Sequence, residues 1–370
     1  MIAALFPRKP GASSPGDYDY LNARVRAMST ELLAPEFYEH VLASFTEGLL
    51  RDSLLASPYA ADVRRAIIDV GSSGLCRVIE TAVARNTHAA FGKILAMAPP
   101  EPRRLVSLVI NRWDVANVVA LARALIAGAG PHESRAALLP IGELSEQQLI
   151  QLAAVADVDA LADAVTSWKH GVASVMRRAL IDCDEPDDPR AVERALYGAY
   201  FAWALAQLRP GDPHERAARD CIRMAVDLVN VGIVLAHVRD KTAPGGPASA
   251  GPEGIVERGI IPVAVLREIS AAPALESAFE SLMETYLAPG IEKGILSFGQ
   301  AQSLAVMEGF LEEVVLARGC RLFRRDMLGV TVPLGFVWRK YCELANLRLL
   351  ARGIAYGMPP DAVRQELVNA

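Results

Sequence analysis

The stretch Asp114-Val115-Ala116-Asn117-Val118-Val119-Ala120-Leu121-Ala122-Arg123-Ala124-Leu125 decides the fold, because it recurs. Its signature is a carboxylate three residues before an asparagine, on an apolar background. The same signature stands at Asp19/Asn22 in DYDYLNARVRAM, at Asp227/Asn230 in DLVNVGIVLAHVR and at Glu343/Asn346 in ELANLRLLARGI. Copies return with a period of roughly 110 residues, too long for a solenoid repeat and suited to a small helical bundle.

The surroundings of the signature recur as well. A proline-marked turn follows each copy: Leu33-Ala34-Pro35-Glu36, Leu139-Pro140-Ile141-Gly142, Ile261-Pro262-Val263-Ala264 and Gly357-Met358-Pro359-Pro360. Proline suits the first helical turn, where its missing amide leaves nothing unpaired. A weaker echo puts a hydroxyl beside an aromatic at Ser57/Tyr59, Ser167/Trp168 and Thr285/Tyr286. Between the turns, apolar residues recur at helical spacing, as at Leu105, Leu108, Val109, Val115 and Val119 or at Leu304, Met307, Phe310, Leu311 and Val314. Strand-like alternation is hard to find. The run Gly329-Val330-Thr331-Val332-Pro333 reads as a loop.

The sequence therefore predicts an all-α chain of three tandem, similar helical bundles. A loose tail covers 1–16, unit one 17–127, unit two 128–240, a flexible loop 241–259, and unit three with closing C-terminal helices 260–370. The 370 residues are 52% hydrophobic and 22% charged, with few aromatics, which fits packed helices rather than disorder.

Carboxylate and amide at i, i+3 share one helix face. On an apolar helix that face is buried, and an unpaired buried polar group costs about 1–3 kcal/mol. Asparagine can donate and accept at once, so it can tie its helix to a neighbouring backbone. These pairs are expected to be structural ties, since four copies of a clamp make sense and four copies of a catalytic pair do not.

Several function classes are excluded. A net charge of −5 gives no basic stripe for nucleic acid. The five cysteines (76, 183, 221, 320, 342) form no C-x-x-C and read as reduced thiols, and the six histidines are scattered, so no metal site is expected. Mean hydropathy is +0.23, but the most apolar stretches carry Arg112, Asp114 and Arg123, or Asp227 and Arg239, which argues against a transmembrane span. Met1–Pro15 lacks the apolar length of a signal peptide. No phosphate-binding loop, dinucleotide fingerprint or nucleophile elbow occurs. The acidic run Asp182-Cys183-Asp184-Glu185-Pro186-Asp187-Asp188 is broken by proline and has no facing partner, so it reads as a solvated loop rather than a magnesium site. No catalytic residue, cofactor or metal is expected.

The C-terminal run Val337-Trp338-Arg339-Lys340-Tyr341-Cys342-Glu343-Leu344-Ala345-Asn346-Leu347-Arg348 resembles the closing motif, K-x-x-E-x-x-N-L-R, of the family of C subunits (d subunits in eukaryotes) of V/A-type rotary ATPases. The opening Tyr18-Asp19-Tyr20-Leu21-Asn22-Ala23-Arg24-Val25-Arg26 and the internal D-x-x-N helices resemble it too, over about residues 17–368. The third unit departs in two respects: an arginine stands six residues after Asn117, at Arg123, whereas position 236 is Ala and the arginine falls at 239, and the loop Asp240–Gly259 is long. The resemblance implies a non-catalytic, funnel-shaped subunit of three bundles about a pseudo-threefold axis. It implies a cytoplasmic place, peripherally attached to the membrane through the ATPase complex. The partners implied are the central-shaft subunits D and F and the membrane proteolipid ring. Lys340, Glu343, Asn346 and Arg348 join the expected ties. A helical-repeat scaffold for another complex would share the fold and differ in partner.

Overall fold

The computed structural model describes residues 18–71, 74–167, 171–242, 254–301 and 303–368. The expected tail 1–16, the centre of the expected loop (243–253) and Trp168 lie outside the described residues. Among them every regular element is helical, and no strand occurs. The chain opens with α1 (Asp19–Ser29). A first series follows: α2 (Pro35–Ser44), α3 (Glu47–Leu55), α4 (Ala60–Val70), α5 (Leu75–Met97) and α6 (Pro100–Ile126).

The second series holds α7 (Pro131–Ala136), α8 (Glu146–Leu152), α9 (Val158–Ala164), α10 (Gly171–Ile181), α11 (Pro189–Ala206) and α12 (Pro213–Thr242). The third holds α13 (Val263–Ala271), α14 (Leu275–Leu282), α15 (Ala288–Ala301), α16 (Leu304–Arg325) and α17 (Thr331–Ala355), before the short α18 (Pro360–Glu366).

Local chemistry sets the helix starts. Thr46 accepts from the Leu49 amide at α3, Asp157 from Ala160 at α9, and Asp188 from both Arg190 and Ala191 at α11. Ser145 and Gln148 form a reciprocal capping box at α8. Proline opens α2, α6, α7 and α11. The segment 329–333, read as a loop, instead leads into α17, with Pro333 in its first turn. There a proline costs the helix no hydrogen bond, so its presence did not signal an irregular segment.

In each series a short helix lies on the next long one: α4 on α5, α10 on α11, α15 on α16. Arg64-Arg65-Ala66-Ile67-Ile68-Asp69 on α4 and Arg177-Arg178-Ala179-Leu180-Ile181-Asp182, running to one residue past the end of α10, are nearly the same sequence. The small residue at this place is buried each time, as Ala66, Ala179 and Gly294, and a Cβ on Gly294 would sit 2.7 Å from the Phe310 ring.

The three signature helices α6, α12 and α17 pack against one another. At their meeting point the Arg112 guanidinium stacks over Trp113 and Trp338, each 4.8 Å to the ring centroid. Trp338 Nε1 donates to the Cys221 sulfur at 3.3 Å. Helices α16 and α17 approach closely through glycine: a Cβ on Gly335 would lie 2.2 Å from the Phe323 backbone nitrogen, and one on Gly319 would enter the Trp338 ring. Two helices, Pro100–Ile126 and Pro213–Thr242, are long and apolar enough to cross a membrane, yet 78% and 61% of their apolar windows are buried within the fold. Their apolar surface is taken up by packing.

Candidate functional site: the repeated clamps

Three signature helices, α6, α12 and α17, carry their carboxylate and amide to the backbone of a loop outside the helix. On α6, Asn117 clamps Leu139: Asn117 Nδ2 donates to the Leu139 carbonyl, and the Leu139 amide donates to Asn117 Oδ1, both at 2.8 Å. One turn back, Asp114 accepts from the amides of Glu143 at 2.8 Å and Leu144 at 3.1 Å. On α12 the same construction recurs. Asn230 and Val256 exchange two bonds of 2.8 Å, and Asp227 accepts from Ile260 and Ile261, both at 3.1 Å, and from the Tyr286 hydroxyl at 3.0 Å.

Glycine makes room for the carboxylate in both loops. A Cβ on Gly142 would stand 2.0 Å from Asp114 Oδ1, and one on Gly259 would stand 2.2 Å from Asp227 Oδ1. Gly142-Glu143-Leu144 therefore corresponds to Gly259-Ile260-Ile261. This revises the register read from the prolines, which sets Leu139-Pro140 beside Ile261-Pro262. The structural counterpart of Leu139 is Val256.

The third clamp joins α17 to the connection between α1 and α2 and to the segment after α18. On α17, Asn346 exchanges two bonds with Val368, at 3.0 and 2.9 Å, and Glu343 accepts from the Leu33 amide. Glu343 also accepts from the Tyr59 hydroxyl at 2.6 Å and from Lys340 Nζ at 2.7 Å, while Lys340 donates to the Tyr59 hydroxyl at 2.8 Å. All three groups are buried. Burial, and then the charge of Glu343, push the Tyr59 hydroxyl well above its ordinary pKa. Tyr59 of the first helical series and Tyr286 of the third thus play one part, each donating a hydroxyl to a signature carboxylate.

The N-terminal copy differs. Asn22 is buried and donates to the Gly329 carbonyl at 3.2 Å, but its Oδ1 has no hydrogen-bond partner among the described residues. Asp19, one turn earlier, faces solvent and makes no hydrogen bond or ion pair among the described residues. Four sequence copies therefore yield three complete clamps. Arg348 lies outside them, 3.5 Å from Glu80, which is held more closely by Arg352 at 2.7 Å.

The expected flexible loop is held at its end: Asn230 grips Val256, and Arg223 donates to the carbonyls of Arg258 and Gly259. Residues 182–188 are mostly exposed, and Asp188 serves as a helix cap. Among the described residues no three His, Cys, Asp or Glu side chains are placed to hold a metal.

Asp227 has a consequence for pH. Burial raises its carboxyl to about 6, against the three donors that lower it. Between about pH 4 and 6 the folded chain holds a proton that the unfolded chain has lost. The stability from that proton is fully present below pH 4 and lost as pH rises through 6. Urea unfolding at pH 4.5 and 6.5 is expected to show Asp227→Asn losing less stability over this interval than the unaltered chain, by at most about 3 kcal/mol. Equal losses would contradict the assignment.

A family model described as the ATP synthase (C/AC39) subunit matches residues 21–366. The chain belongs to the ATP synthase C/AC39 subunit family. The C subunit of the V-type ATP synthase of Deinococcus radiodurans is 25% identical, covering 98% of this chain and 97% of its own. The C subunit of the A-type ATP synthase of Methanocaldococcus jannaschii is 21% identical, over 95% and 86%. That of Halorubrum lacusprofundi is 24% identical, over 97% and 98%. Membership makes this C/AC39 chain a non-catalytic subunit of a rotary ATPase complex. The match spans all three clamps except for Val368, two residues past its end.

One further repeat escaped the sequence reading. Val78-Ile79-Glu80, Ala191-Val192-Glu193 and Val306-Met307-Glu308 stand near the start of α5, α11 and α16, with the middle residue buried each time. Glu80 pairs with Arg352, six residues past Asn346, and Glu193 pairs with Arg123, six past Asn117, at 3.2 Å. The signal was present as apolar-apolar-Glu at the start of each long helix.

Proposed function

We propose that this protein is the socket of the central stalk, joining the shaft subunits D and F to the membrane proteolipid ring and passing torque between them. In this reading units 17–127, 128–240 and 260–370 stand about a pseudo-threefold axis and form a funnel attached to the cytoplasmic side of the membrane through the complex. The buried pairs on α6, α12 and α17, with Lys340, are its structural ties.

The observation that carries the reading is the order of the clamps. The signature helices α6 and α12 each close one unit and grip the loop leading into the next, and α17 grips Leu33 and Tyr59 of the first unit. A ring closed this way has no free terminal unit to peel away. Fully satisfied buried polar networks also specify one arrangement and resist shear, as a part that transmits torque requires.

Binding tests the role. The purified chain, immobilised, is expected to retain both a D–F shaft pair and a detergent-solubilised proteolipid ring, and to bridge the two. Cross-links are expected to put shaft and ring at opposite ends of the funnel. Retention of neither partner would favour a scaffold for some other complex, and cross-links from both partners to one end would contradict the socket.

A further inference from the structure

Arg348 closes the K-x-x-E-x-x-N-L-R motif and takes no part in the clamps. It lines a cleft of about 260 Å³ where α5, α17 and the segment from α7 to α8 come together. Four more arginines line the same cleft: Arg77 and Arg85 from α5, Arg135 from α7 and Arg352 from α17. Against these five cations the lining carries two carboxylates, Glu80 and Glu146, and its remaining residues are uncharged.

Both carboxylates are already taken. Glu80 lies 2.7 Å from Arg352 and 3.5 Å from Arg348, and Glu146 lies 3.0 Å from Arg85. Asp69, outside the lining, is a second partner of Arg85. The side chains of Arg77 and Arg135 are exposed and make no hydrogen bond or ion pair among the described residues. With Asp69 counted, five positive charges meet three negative ones, and an excess of two remains. The larger cleft between α11, α12 and α16, of about 880 Å³, has five cations and five carboxylates in its lining and carries no such excess. Arg85 and Arg348 are 23% and 27% exposed, so part of the excess is withdrawn from bulk water. A cleft lined by one sign of charge concentrates the opposite ion.

We propose that this cleft binds a phosphate anion of about the size of diphosphate, held by Arg77, Arg135 and Arg348. The planar fork of a guanidinium matches phosphate oxygens in pairs. The space is smaller than the roughly 300–1,000 Å³ of pockets that enclose a drug-sized ligand. It has room for phosphate groups and not for a whole nucleotide. Leu139 and Pro140 also line the cleft, so an anion there ties α5 and α17 to the loop that Asn117 grips. The site does not depend on the socket reading.

The test is calorimetric titration of the full chain with inorganic diphosphate, with ATP and a glutamate-rich hexapeptide in parallel. Diphosphate is expected to bind once per chain with a Kd of about 0.1 mM or below at low salt, weakening about tenfold as salt approaches 0.2 M. ATP binding as tightly identifies a nucleotide's phosphate tail as the source, and weaker ATP binding identifies free diphosphate; either keeps the site. Arg77→Gln/Arg135→Gln, which breaks no contact among the described residues, is expected to weaken diphosphate binding about tenfold or more. Glu146→Gln removes a lining carboxylate and is expected to tighten it about threefold. Arg123→Gln/Arg190→Gln takes the same charge from the balanced cleft and is expected to leave binding within about twofold. Absence of saturable diphosphate binding overturns the proposal. Tighter binding of the hexapeptide than of diphosphate overturns it as well. So does an equal loss in the two arginine double variants, which would mark a response to net charge alone.

Discussion

Lys340→Met lowers the free energy of unfolding by about 3–5 kcal/mol, because it strands a buried carboxylate. Lys340 Nζ lies 2.7 Å from Glu343 Oε1 and 2.8 Å from the Tyr59 hydroxyl, and the ammonium also stands 4.5 Å above the Tyr59 ring. Lys340 is 5% exposed and Glu343 4%, so water cannot take over the charge that remains. An exposed pair of the same geometry would be worth about 0–1 kcal/mol. The exposure values decide between the two cases. Urea denaturation measures the change as a shift in midpoint at constant slope. The double variant Lys340→Met/Glu343→Gln is expected to recover part of the loss, since it removes the stranded charge. A cost below about 1 kcal/mol for Lys340→Met would show that the triad is solvated in solution.

Gly259→Ala is expected to cost about 3 kcal/mol or more, for a different physical reason. Its backbone is not in the left-handed region, so the penalty is steric. The new Cβ would occupy space 2.2 Å from Asp227 Oδ1. Either the carboxylate leaves or the loop moves, and both outcomes abandon the amides of Ile260 and Ile261 and the Tyr286 hydroxyl. Each donor left buried and unpaired costs about 1–3 kcal/mol. Gly142→Ala, with its Cβ 2.0 Å from Asp114 Oδ1, is expected to behave alike in the second unit. The check is a double-mutant cycle with Asp227→Ala. If the glycine exists to admit the carboxylate, the two losses fall well short of adding, and strict additivity would separate the glycine from the clamp.

These two predictions bear on how much was legible in the sequence. The all-α class could be read from periodicity, and the signature helices from a spacing of three on an apolar background. Backbone partners could not be read, because an asparagine that grips a main chain leaves no trace in the side chain at the gripped position: Leu139, Val256 and Val368 share only being aliphatic. The turn register went astray for a related reason. Proline is a conspicuous landmark, but Pro140 and Pro262 occupy different places relative to their clamps, while the aligned Gly142 and Gly259 look unremarkable until the carboxylate beside them is seen. Asp19 is grouped with the other acidic residues on spacing alone. Spacing gives the face of a helix but not what that face meets, and Asp19 meets solvent. The missing arginine at position 236 was visible as a departure from pattern.

Sequence and structure therefore divide the work. Repetition in the chain gives the expectation of three similar units, and the clamps join each of the signature helices α6, α12 and α17 to the backbone of a later or earlier loop. In the proposed reading the third fastening turns a row of units into a closed body, and it depends on Glu343 of α17 taking the amide of Leu33 in the first unit. Leu33 lies in the short connection between α1 and α2, where an amide without a partner exchanges freely. Amide hydrogen exchange at Leu33 therefore tests the closed arrangement most directly. With its N–H donated to Glu343 Oε2, the Leu33 amide is predicted to exchange ~1,000-fold or more slowly than a free amide, alongside the Leu139 and Val256 amides of the other two clamps. Exchange of Leu33 at the rate of an unstructured segment, with Leu139 and Val256 still protected, would contradict the closure and leave an open row of three units.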